Sequence, residues 1–302
     1  MIHFISLLLN FRRNGCMDMR SIGFIGLGAM GLPMAKNLLK NGFELHVAAH
    51  RNRAPVEELK KAGAIEEPSI ADIVSSCQVV ISILPADQEM EAVLLSHDVL
   101  EQFTSDKVLI EMTSGSPDMM KMVNNTLQER GTRVLDAPVS GGTMGAANGT
   151  LTIMAGGDAE LLEECRPVLD AMAENVYLVG AMGAGKAIKA INQMLAGIHM
   201  LASAEAVALA EKLEIDKEVI KQVVGKSSGA SWMLLNKIDA LTNRDFAPGF
   251  KLSLMKKDIQ IAVKEGADQK LPLASFALSL YEEVDKEYGE LDFAAAGKKV
   301  LF

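Results

Sequence analysis

The stretch SIGFIGLGAMGLPMAKNLLKNG, residues 21–42, decides the fold because its pattern changes twice within a short distance. It opens with a short apolar run, continues with three closely spaced glycines, and ends with helical periodicity. In that last part Met34, Leu38 and Leu39 fall on one helical face, and Asn41-Gly42 is a helix stop signal. The order strand, glycine-rich turn, helix therefore predicts the first unit of an α/β fold.

The glycines of GLGAMG have the spacing of a dinucleotide-binding turn, and the strand and helix around them make this motif specific. Gly26 permits the tight turn, Gly28 lets the backbone approach a pyrophosphate, and Gly31 lets the helix pack closely on the strand. The helix N-terminus adds free N–H groups for the phosphates. A glycine turn that binds nothing is the alternative. The predicted cofactor-binding loop consists of Gly26, Leu27, Gly28, Ala29, Met30 and Gly31.

The end of the second predicted strand, Glu44 to Ala49, bears on the choice of cofactor. An NAD enzyme usually ends this strand with Asp or Glu, which binds the ribose 2′-hydroxyl, but Ala49 stands there. Arg51 and Arg53 follow, and arginine can hold a 2′-phosphate bidentately. We therefore predict that His50, Arg51 and Arg53 contact the cofactor and that NADP is preferred. If the arginines are ordinary loop charges, NAD use stays open.

Further apolar runs predict more strands of the same sheet, at residues 77–85, 107–114, 133–140, 151–157 and 175–180. Ligands of parallel α/β sheets bind at the carboxyl ends of the strands. This rule predicts a crevice lined by Leu84, Pro85, Thr113, Ser114 and Ser140, of which Leu84, Pro85 and Thr113 are expected to bind the cofactor. Up to about residue 180 the pattern predicts a doubly wound α/β domain.

The second half of the chain is predicted to be helical. From Ala184 to Leu213 it is rich in Ala, Leu and Met with few polar interruptions, and a helix apolar nearly all round is usually buried. We expect this helix to lie between the domains and to pack on a partner subunit, with His199 in the core or the interface. The chain is therefore expected to form a homodimer or homotetramer.

The predicted domain organisation has three parts. Met17 is a plausible start of the protein, so residues 1–18 are interpreted as a leader that is either non-native or disordered. Residues 19–181 are predicted to form an α/β, N-terminal doubly wound Rossmann domain, and residues 182–302 an all-α C-terminal domain for dimerisation and substrate binding.

Composition excludes several classes of protein. The net charge of −9 disfavours a nucleic-acid partner. The three cysteines are scattered without a CxxC pair, which favours a reducing cytoplasm and argues against a metal site. The terminal apolar run MIHFISLLL is too short to span a bilayer, so no membrane partner is expected. These features predict a cytoplasmic protein.

Three segments together resemble the β-hydroxyacid dehydrogenases: FIGLGAMGLPMAKNLLKNG at 24–42, DAPVSGGTMGAANGTLTIMAGG at 136–157, and GAGKAIKAINQ at 183–193. The resemblance runs from about Arg20 to the C-terminus. It implies an NAD(P)-dependent oxidoreductase that transfers a hydride between the cofactor and a small hydroxy acid or semialdehyde acid.

The resemblance assigns substrate binding to the VSGGT loop. The backbone N–H groups of Ser140, Gly141 and Gly142 and the serine hydroxyl would hold the substrate carboxylate, and Thr143 would assist. Glycine suits this place because a Cβ would block close approach. The alternative is a mere loop between strands.

The resemblance also assigns catalysis to Lys189, followed by Asn192 and Gln193 on the same helical face. Many relatives carry Asn where Gln193 stands, so which amide acts stays open. In reduction the lysine ammonium stabilises the developing alkoxide and donates a proton. In oxidation it acts as a base, so burial or a nearby cation has to lower its pKa. Lys186 does not fit the motif and is interpreted as a solvent-exposed charge.

Two later segments complete the implied site. The resemblance places Trp232 and Asn236 against the active site of a neighbouring domain or subunit, although core packing would also explain Trp232. In PGFKLSLMKKD, Phe250 and Lys257 are predicted to share one helical face and to bind the cofactor, with Asp258 holding the lysine.

The predicted activity is reversible, NADP-preferring reduction of a semialdehyde acid, with tartronate semialdehyde (2-hydroxy-3-oxopropionate) as the first substrate. L-threonate and 3-hydroxyisobutyrate are the alternative substrates. 3-Hydroxyisobutyrate dehydrogenase is the less favoured of these two activities because position 49 is Ala and not an acidic residue. A non-catalytic NADP-binding scaffold and an imine reductase are alternatives of other classes. Both are disfavoured because Lys189 is present.

Overall fold

The computed structural model describes residues 19–301, so the leader predicted at residues 1–18 lies outside the described residues. Within this range a nine-stranded sheet with helices on both faces is followed by a purely helical region that begins at Ala184. The predicted combination of an α/β first half and an all-α second half is confirmed.

The strand order places β1 at the centre of the parallel part of the sheet. The order is β3-β2-β1-β4-β5-β6-β8-β7, with β9 paired to β8. β1 coincides with the predicted strand, whereas the run predicted at 133–140 is divided into two strands around Pro138, which has no N–H to donate. The strands are β1 Ser21–Ile25, β2 Glu44–Val47, β3 Ile65–Glu66, β4 Val79–Ser82, β5 Val108–Glu111, β6 Arg133–Asp136, β7 Val139–Ser140, β8 Leu151–Gly156 and β9 Ala173–Gly180.

The sheet is not parallel throughout. β1 to β6 are parallel, but β8 runs antiparallel to β6 and β7 and parallel to β9. The connection from β7 to β8 covers only residues 141–150. A parallel crossover needs about a dozen residues or more, so this short return favours an antiparallel pair.

Alternate strand residues pack on opposite faces, which is the reason for the doubly wound arrangement. Phe24 and Ile110 belong to one buried cluster, whereas Ile25 and Leu109 belong to another. Helices cover both clusters. They are α1 Gly31–Lys40, α2 Ala54–Lys61, α3 Ile70–Ser76, α4 Asp87–Leu94, α5 His97–Leu100, α6 Pro117–Gln128, α7 Gly142–Asn148 and α8 Ala159–Asp170.

The helical region has its own core around one long helix, α9. Met200 and Ala204 of α9 are buried against Ile259 and Tyr281. At Gly197 a Cβ would lie 2.4 Å from the Ile259 side chain, so α9 and its neighbour are in close contact. The helices are α9 Ala184–Lys212, α10 Lys217–Val223, α11 Trp232–Asn243, α12 Leu252–Glu265, α13 Pro272–Tyr288 and α14 Lys298–Leu301, with 3-10 turns at Val224–Lys226 and Phe293–Gly297.

One face of α9 is exposed in the single chain. Ile188, Ile191, Leu195 and Leu209 are all at least 38% exposed, and His199 is exposed as well. His199 therefore does not lie in the core of the chain, and its place in a subunit interface stays a prediction. By length and composition alone α9 could cross a membrane, but half of its most apolar window is buried inside the protein, as in a core helix.

The first helix is fixed on the sheet by a backbone contact between two glycines. A Cβ at Gly31 would lie 1.8 Å from the carbonyl oxygen of Gly26, whereas a Cβ at Gly28 would meet nothing within 4 Å. The contact at Gly31 therefore brings the start of α1 against the end of β1, and Gly28 takes no part in it.

We expect Gly31→Ala to lower the Tm by roughly 5–10 °C, because its methyl group must displace backbone in a packed region. Gly28→Ala is the matched control and should melt within about 2 °C of the wild type, since the new methyl group points into open space. Thermal melts followed by circular dichroism provide the comparison. Equal melting temperatures for the two variants would contradict this account of the turn.

Candidate active site

The GLGAMG turn has the shape that a dinucleotide requires. Gly26 has a φ of +99°, and a Cβ there would lie 2.0 Å from the carbonyl oxygen of Ile83. Gly28 and Ala29 are exposed, and the space beside Gly28 is open. The start of α1 carries no acidic residue that would repel phosphate. Leu27 and Met30 are partly buried and pack against the core of the sheet. The residues present therefore fit the pyrophosphate of NAD(P).

The two arginines after β2 have different surroundings. Arg53 forms ion pairs with Glu57 at 3.0 Å and Glu66 at 2.8 Å, so its guanidinium is already engaged. Arg51 is exposed and has no ion pair within the described part of the chain, and His50 is exposed beside it. The structure thus separates Arg51, whose charge is available to a ligand, from Arg53. The predicted cofactor contact of both arginines stays a prediction.

The carboxyl ends of β4 and β5 meet as predicted, and hydrogen bonds join them. The backbone N–H of Leu84 donates to Thr113 Oγ1 at 2.8 Å. Lys257, from α12, donates through its Nζ to the carbonyl oxygens of Pro85, at 3.0 Å, and Ser114. The helical region therefore reaches the edge of the predicted cofactor crevice through Lys257.

Phe250 does not share a helical face with Lys257, so that prediction is wrong. α12 begins at Leu252, and Phe250 precedes it. The Phe250 ring packs edge-on against Phe293, with 5.9 Å between the ring centroids, beside the core of the helical region. The glycine at 249 and the extended Lys251 interrupt the helical periodicity that the sequence suggested. Cofactor contact by Phe250 stays a prediction.

Lys189 is the centre of a buried polar group on α9. Its side chain is 8% exposed, and its Nζ donates to Gln193 Oε1 at 3.1 Å. Asn192 Nδ2 donates to the same oxygen at 3.1 Å. Gln193 Nε2 donates to Asp258 Oδ2 at 2.7 Å. The helical spacing predicted from the sequence thus brings these side chains together, and Asp258 joins them from α12.

The surroundings of Lys189 change its acidity. Burial lowers the pKa of Lys189 from 10.5 to about 8, Asp258 raises it, and the positive charge of Lys257 lowers it. This is the shift that base catalysis in the oxidation direction requires. Near pH 8 the ammonium and the neutral amine are both well populated, so the side chain can donate or accept a proton.

The Lys189 group faces the sheet across a narrow cleft. Ser114 lines it from the end of β5, Lys189 and Gln193 from α9, and Asp258 and Ile261 from α12. The cleft therefore lies where the helical region meets the carboxyl end of β5. This is the edge at which a doubly wound sheet binds its cofactor.

Lys186 is buried, so its interpretation as a solvent-exposed charge is wrong. It is 0% exposed, and its Nζ lies 2.5 Å from Glu111 Oε2 and 3.1 Å from Asp136 Oδ1. Burial lowers the pKa of Lys186, but the two carboxylates outweigh this and raise it above its ordinary value. The sequence signal for this buried cation is the pair of acidic residues, Glu111 and Asp136, at the ends of two apolar strands.

The VSGGT loop has the backbone geometry that glycine allows. Ser140 ends β7 and pairs with Thr152, and Gly141 and Gly142 have φ values of +133° and +63°. Both glycines are exposed, and α7 begins at Gly142. Among the described residues no hydrogen bond joins this loop to Lys189. Carboxylate binding by Ser140, Gly141, Gly142 and Thr143 stays a prediction.

Trp232 is 62% exposed as the first residue of α11, so core packing does not explain it in this chain. Asn236 is exposed, and its Nδ2 donates to the Trp232 carbonyl oxygen at 2.9 Å. These two residues therefore lie on an accessible surface. A contact with the active site of a neighbouring subunit stays a prediction.

Two family models together cover nearly all of the described chain. Residues 21–180 match the NAD binding domain of 6-phosphogluconate dehydrogenase. Residues 183–299 match the family described as NAD-binding of NADP-dependent 3-hydroxyisobutyrate dehydrogenase. The first match coincides with the sheet and its helices, and the second with the helical region.

Similar proteins with named activities match over most of their length. The chain is 40% identical to the NAD-dependent L-serine dehydrogenase of Pseudomonas aeruginosa, over 93% of this chain and 97% of that protein. It is 33% identical to the 2-hydroxy-3-oxopropionate reductase of Escherichia coli, over 85% and 87%. The solved structure of Mycobacterium tuberculosis 3-hydroxyisobutyrate dehydrogenase with L-serine is 32% identical, has a TM-score of 0.83, and matches over 93% of this chain and 99% of that one.

The two family matches and these relatives agree with the dinucleotide turn and the buried lysine of α9. They show an NAD(P)-dependent oxidoreductase that acts on a CH–OH group. The chain belongs to the β-hydroxyacid dehydrogenase family.

Proposed function

We propose that the protein interconverts a small 3-hydroxy acid and its 3-oxo acid with NADP(H), and that Lys189 is the acid–base catalyst. The observation that carries this proposal is the buried Lys189 ammonium, oriented by Gln193 in the cleft beside the carboxyl end of β5. A non-catalytic scaffold would have no need of a lysine with so strongly lowered a pKa.

Proton transfer follows from this position. The nicotinamide, when bound, supplies or accepts the hydride. In reduction Lys189 donates its proton to the substrate oxygen as charge develops there, and in oxidation its neutral amine removes the hydroxyl proton. Burial lowers the pKa of Lys189 to about 8, while Asp258 raises it and Lys257 lowers it, so both forms of the amine are accessible near pH 8.

The two amides of the motif have different roles in this proposal. A carboxylate only accepts hydrogen bonds, so Asp258 fixes the NH₂ end of Gln193 towards itself and the oxygen towards Lys189. Gln193 therefore orients the lysine. Asn192 is less buried and uses one N–H for Gln193, so we assign it to a substrate oxygen. The Ser140–Thr143 loop would hold the substrate carboxylate.

Tartronate semialdehyde, which is reduced to glycerate, is the substrate we propose first, and the E. coli reductase supports it. L-Serine is the second candidate. The P. aeruginosa dehydrogenase and the M. tuberculosis structure with L-serine favour it. Glycerate and L-serine share a carboxylate, a polar group on C2 and a primary hydroxyl on C3, so the same site chemistry fits both. L-Threonate and 3-hydroxyisobutyrate complete the set to be tested.

A second copy of the chain is the partner we propose for the exposed face of α9. Ile188, Ile191, Leu195 and Leu209 lie on that face with His199, and apolar surface of this kind favours association. We therefore propose a homodimer or homotetramer. The scattered cysteines without a CxxC pair favour the cytoplasm as its compartment. Sedimentation of the purified chain distinguishes either state from a monomer.

We expect Lys189→Ala to lower kcat by about 10²–10⁴-fold and to change the Kd for NADPH by less than about 3-fold, because the lysine acts on the substrate oxygen. Lys212→Ala, an exposed lysine at the end of the same helix, is the matched control and should keep the wild-type kcat. The measurement is NADPH oxidation with tartronate semialdehyde, followed by NADP⁺ reduction with L-serine, L-threonate and 3-hydroxyisobutyrate. A Lys189→Ala variant with wild-type kcat would refute the catalytic assignment.

The pH dependence of kcat/KM should have opposite signs for oxidation and reduction. In oxidation Lys189 must be neutral, so kcat/KM should rise with pH and level off above the pKa of about 8. In reduction it must be protonated, so kcat/KM should fall as the pH rises through the same value. Initial rates from pH 6 to pH 10 in both directions test this. Profiles of the same sign in both directions would contradict acid–base catalysis by one group.

The choice of cofactor should depend on Arg51 more than on Arg53. We expect Arg51→Ala to raise the KM for NADPH about 10-fold with little change for NADH, since only NADPH carries the 2′-phosphate. Arg53→Ala should change the NADPH KM less, because Glu57 and Glu66 already bind that guanidinium. Steady-state kinetics with both cofactors provide the test. An unchanged NADPH KM in Arg51→Ala would overturn the proposed preference for NADP.

A further inference from the structure

We propose that Lys186 is a positioning residue for catalysis. It binds Glu111 and Asp136, holds the first turns of α9 on the carboxyl ends of β5 and β6, and thereby sets the place of Lys189 in the cleft. This inference rests on the proposed role of Lys189. It concerns a lysine that the catalytic mechanism does not otherwise use.

The cluster formed by Lys186, Glu111 and Asp136 is completely enclosed. All three side chains are 0% exposed. Lys186 Nζ contacts Glu111 Oε2 at 2.5 Å and Asp136 Oδ1 at 3.1 Å, and it donates to the Glu111 backbone carbonyl at 3.1 Å. A lysine with three oxygen partners from two strands has little freedom to move, because any displacement leaves buried charges unpaired.

The backbone of α9 is held at the same place. The backbone N–H of Lys186 donates to Asp136 Oδ2 at 3.2 Å. At the preceding residue, Gly185, a Cβ would lie 2.4 Å from the Met154 carbonyl oxygen and 2.8 Å from Asp136 Oδ2. The first turn of α9 therefore lies directly against β6 and β8, with no space in which to slide.

The connection into α9 does not itself fix the direction of the helix. Gly180 ends β9 with a φ of +149°, and Gly183 precedes α9 with a φ of +90° and no side-chain cap. Glycine has more backbone freedom than any other residue, so this turn constrains the helix weakly. The Lys186 cluster follows directly and supplies the constraint that the turn lacks.

The cluster also connects with the cofactor crevice. The Glu111 carboxylate accepts the Thr113 backbone N–H at 3.1 and 3.2 Å, and Thr113 Oγ1 accepts the Leu84 N–H at 2.8 Å. One carboxylate therefore contacts both the crevice and the catalytic helix. Lys189 lies one turn after Lys186, so a small shift of α9 at the cluster moves Lys189 in its cleft. A misplacement of about 1 Å costs on the order of 10²-fold in rate.

Lys186 has no part in proton transfer in this scheme. Burial lowers its pKa, but Glu111 and Asp136 outweigh that effect and raise it, so the side chain stays charged throughout the pH range of the assay. Its contribution is the geometry of the helix, whereas Lys189 does the chemistry.

The test variant is the double substitution Lys186→Met with Glu111→Gln, which removes the side-chain contacts of Lys186 together with one of the two carboxylates that it binds. Lys107→Met is the matched control. Lys107 is also a buried lysine, but it donates to the carbonyl oxygens of Ser75 and Cys77 at the amino end of β5. Each variant is measured for Tm, the Kd for NADPH, kcat, KM and the pH midpoint of kcat/KM, beside wild type and Lys189→Ala.

For the double variant we expect kcat to fall about 10²-fold with an NADPH Kd within about 3-fold of wild type. The pH midpoint should rise above about 8 towards the ordinary lysine value of 10.5, because a displaced Lys189 is better hydrated. Lys107→Met should lower the Tm and keep both kcat and the midpoint. This combination separates positioning from general stabilisation.

Two results would overturn the inference. A folded double variant with wild-type kcat and midpoint would limit Lys186 to stability. A variant that loses NADPH binding with an unchanged midpoint would assign the cluster to the crevice alone. If the double variant does not fold, Glu111→Gln alone takes its place. For this single variant we expect about a 10-fold loss of kcat and a smaller rise in the pH midpoint of kcat/KM. If Lys189→Ala keeps wild-type kcat, the proposed function itself fails.

Discussion

The burial of two carboxylates at the ends of adjacent strands is the constraint on which the joint between the sheet and the helices depends. Glu111 and Asp136 lie in the interior without any contact with water, and Lys186 of α9 supplies the compensating charge. Removing one partner of such a pair costs on the order of 3–5 kcal/mol, so helix and sheet must meet in one register. Lys257 makes a second contact across the same joint. The cleft beside Lys189 lies at the same joint.

Three lysines near this joint differ in function because they differ in partners. Lys186 and Lys189 are both buried, yet only Lys186 faces two carboxylates at contact distance, so the pKa of Lys186 is raised and that of Lys189 is lowered. Lys257 is partly exposed and uses its charge on backbone carbonyls and Asp258. Desolvation alone would lower the pKa of both buried lysines, and the neighbouring carboxylates reverse this effect only at Lys186.

Local patterns predicted much of this structure, because the features concerned lie within one or two elements. The turn at Gly26, the start of the long helix and the contact between Lys189 and Gln193 all follow from spacing along the chain. Features set by distant residues could not be predicted in this way. The antiparallel β8 depends on a sheet-wide arrangement, Lys186 is buried by partners 50 and 75 positions away, and Arg53 is engaged by Glu66. Periodicity predicts which face of a helix or strand a residue occupies, but it does not identify the residues that pack against that face.

The hydrogen bonds around Gln193 join two helices that are far apart in sequence. Its side chain is long enough to reach Lys189 on its own helix and Asp258 on α12 together. Asparagine is one methylene shorter and would have to give up one of these two contacts. The residue at position 193 therefore links the orientation of Lys189 to the place of α12, so a change in either helix reaches the other through one side chain.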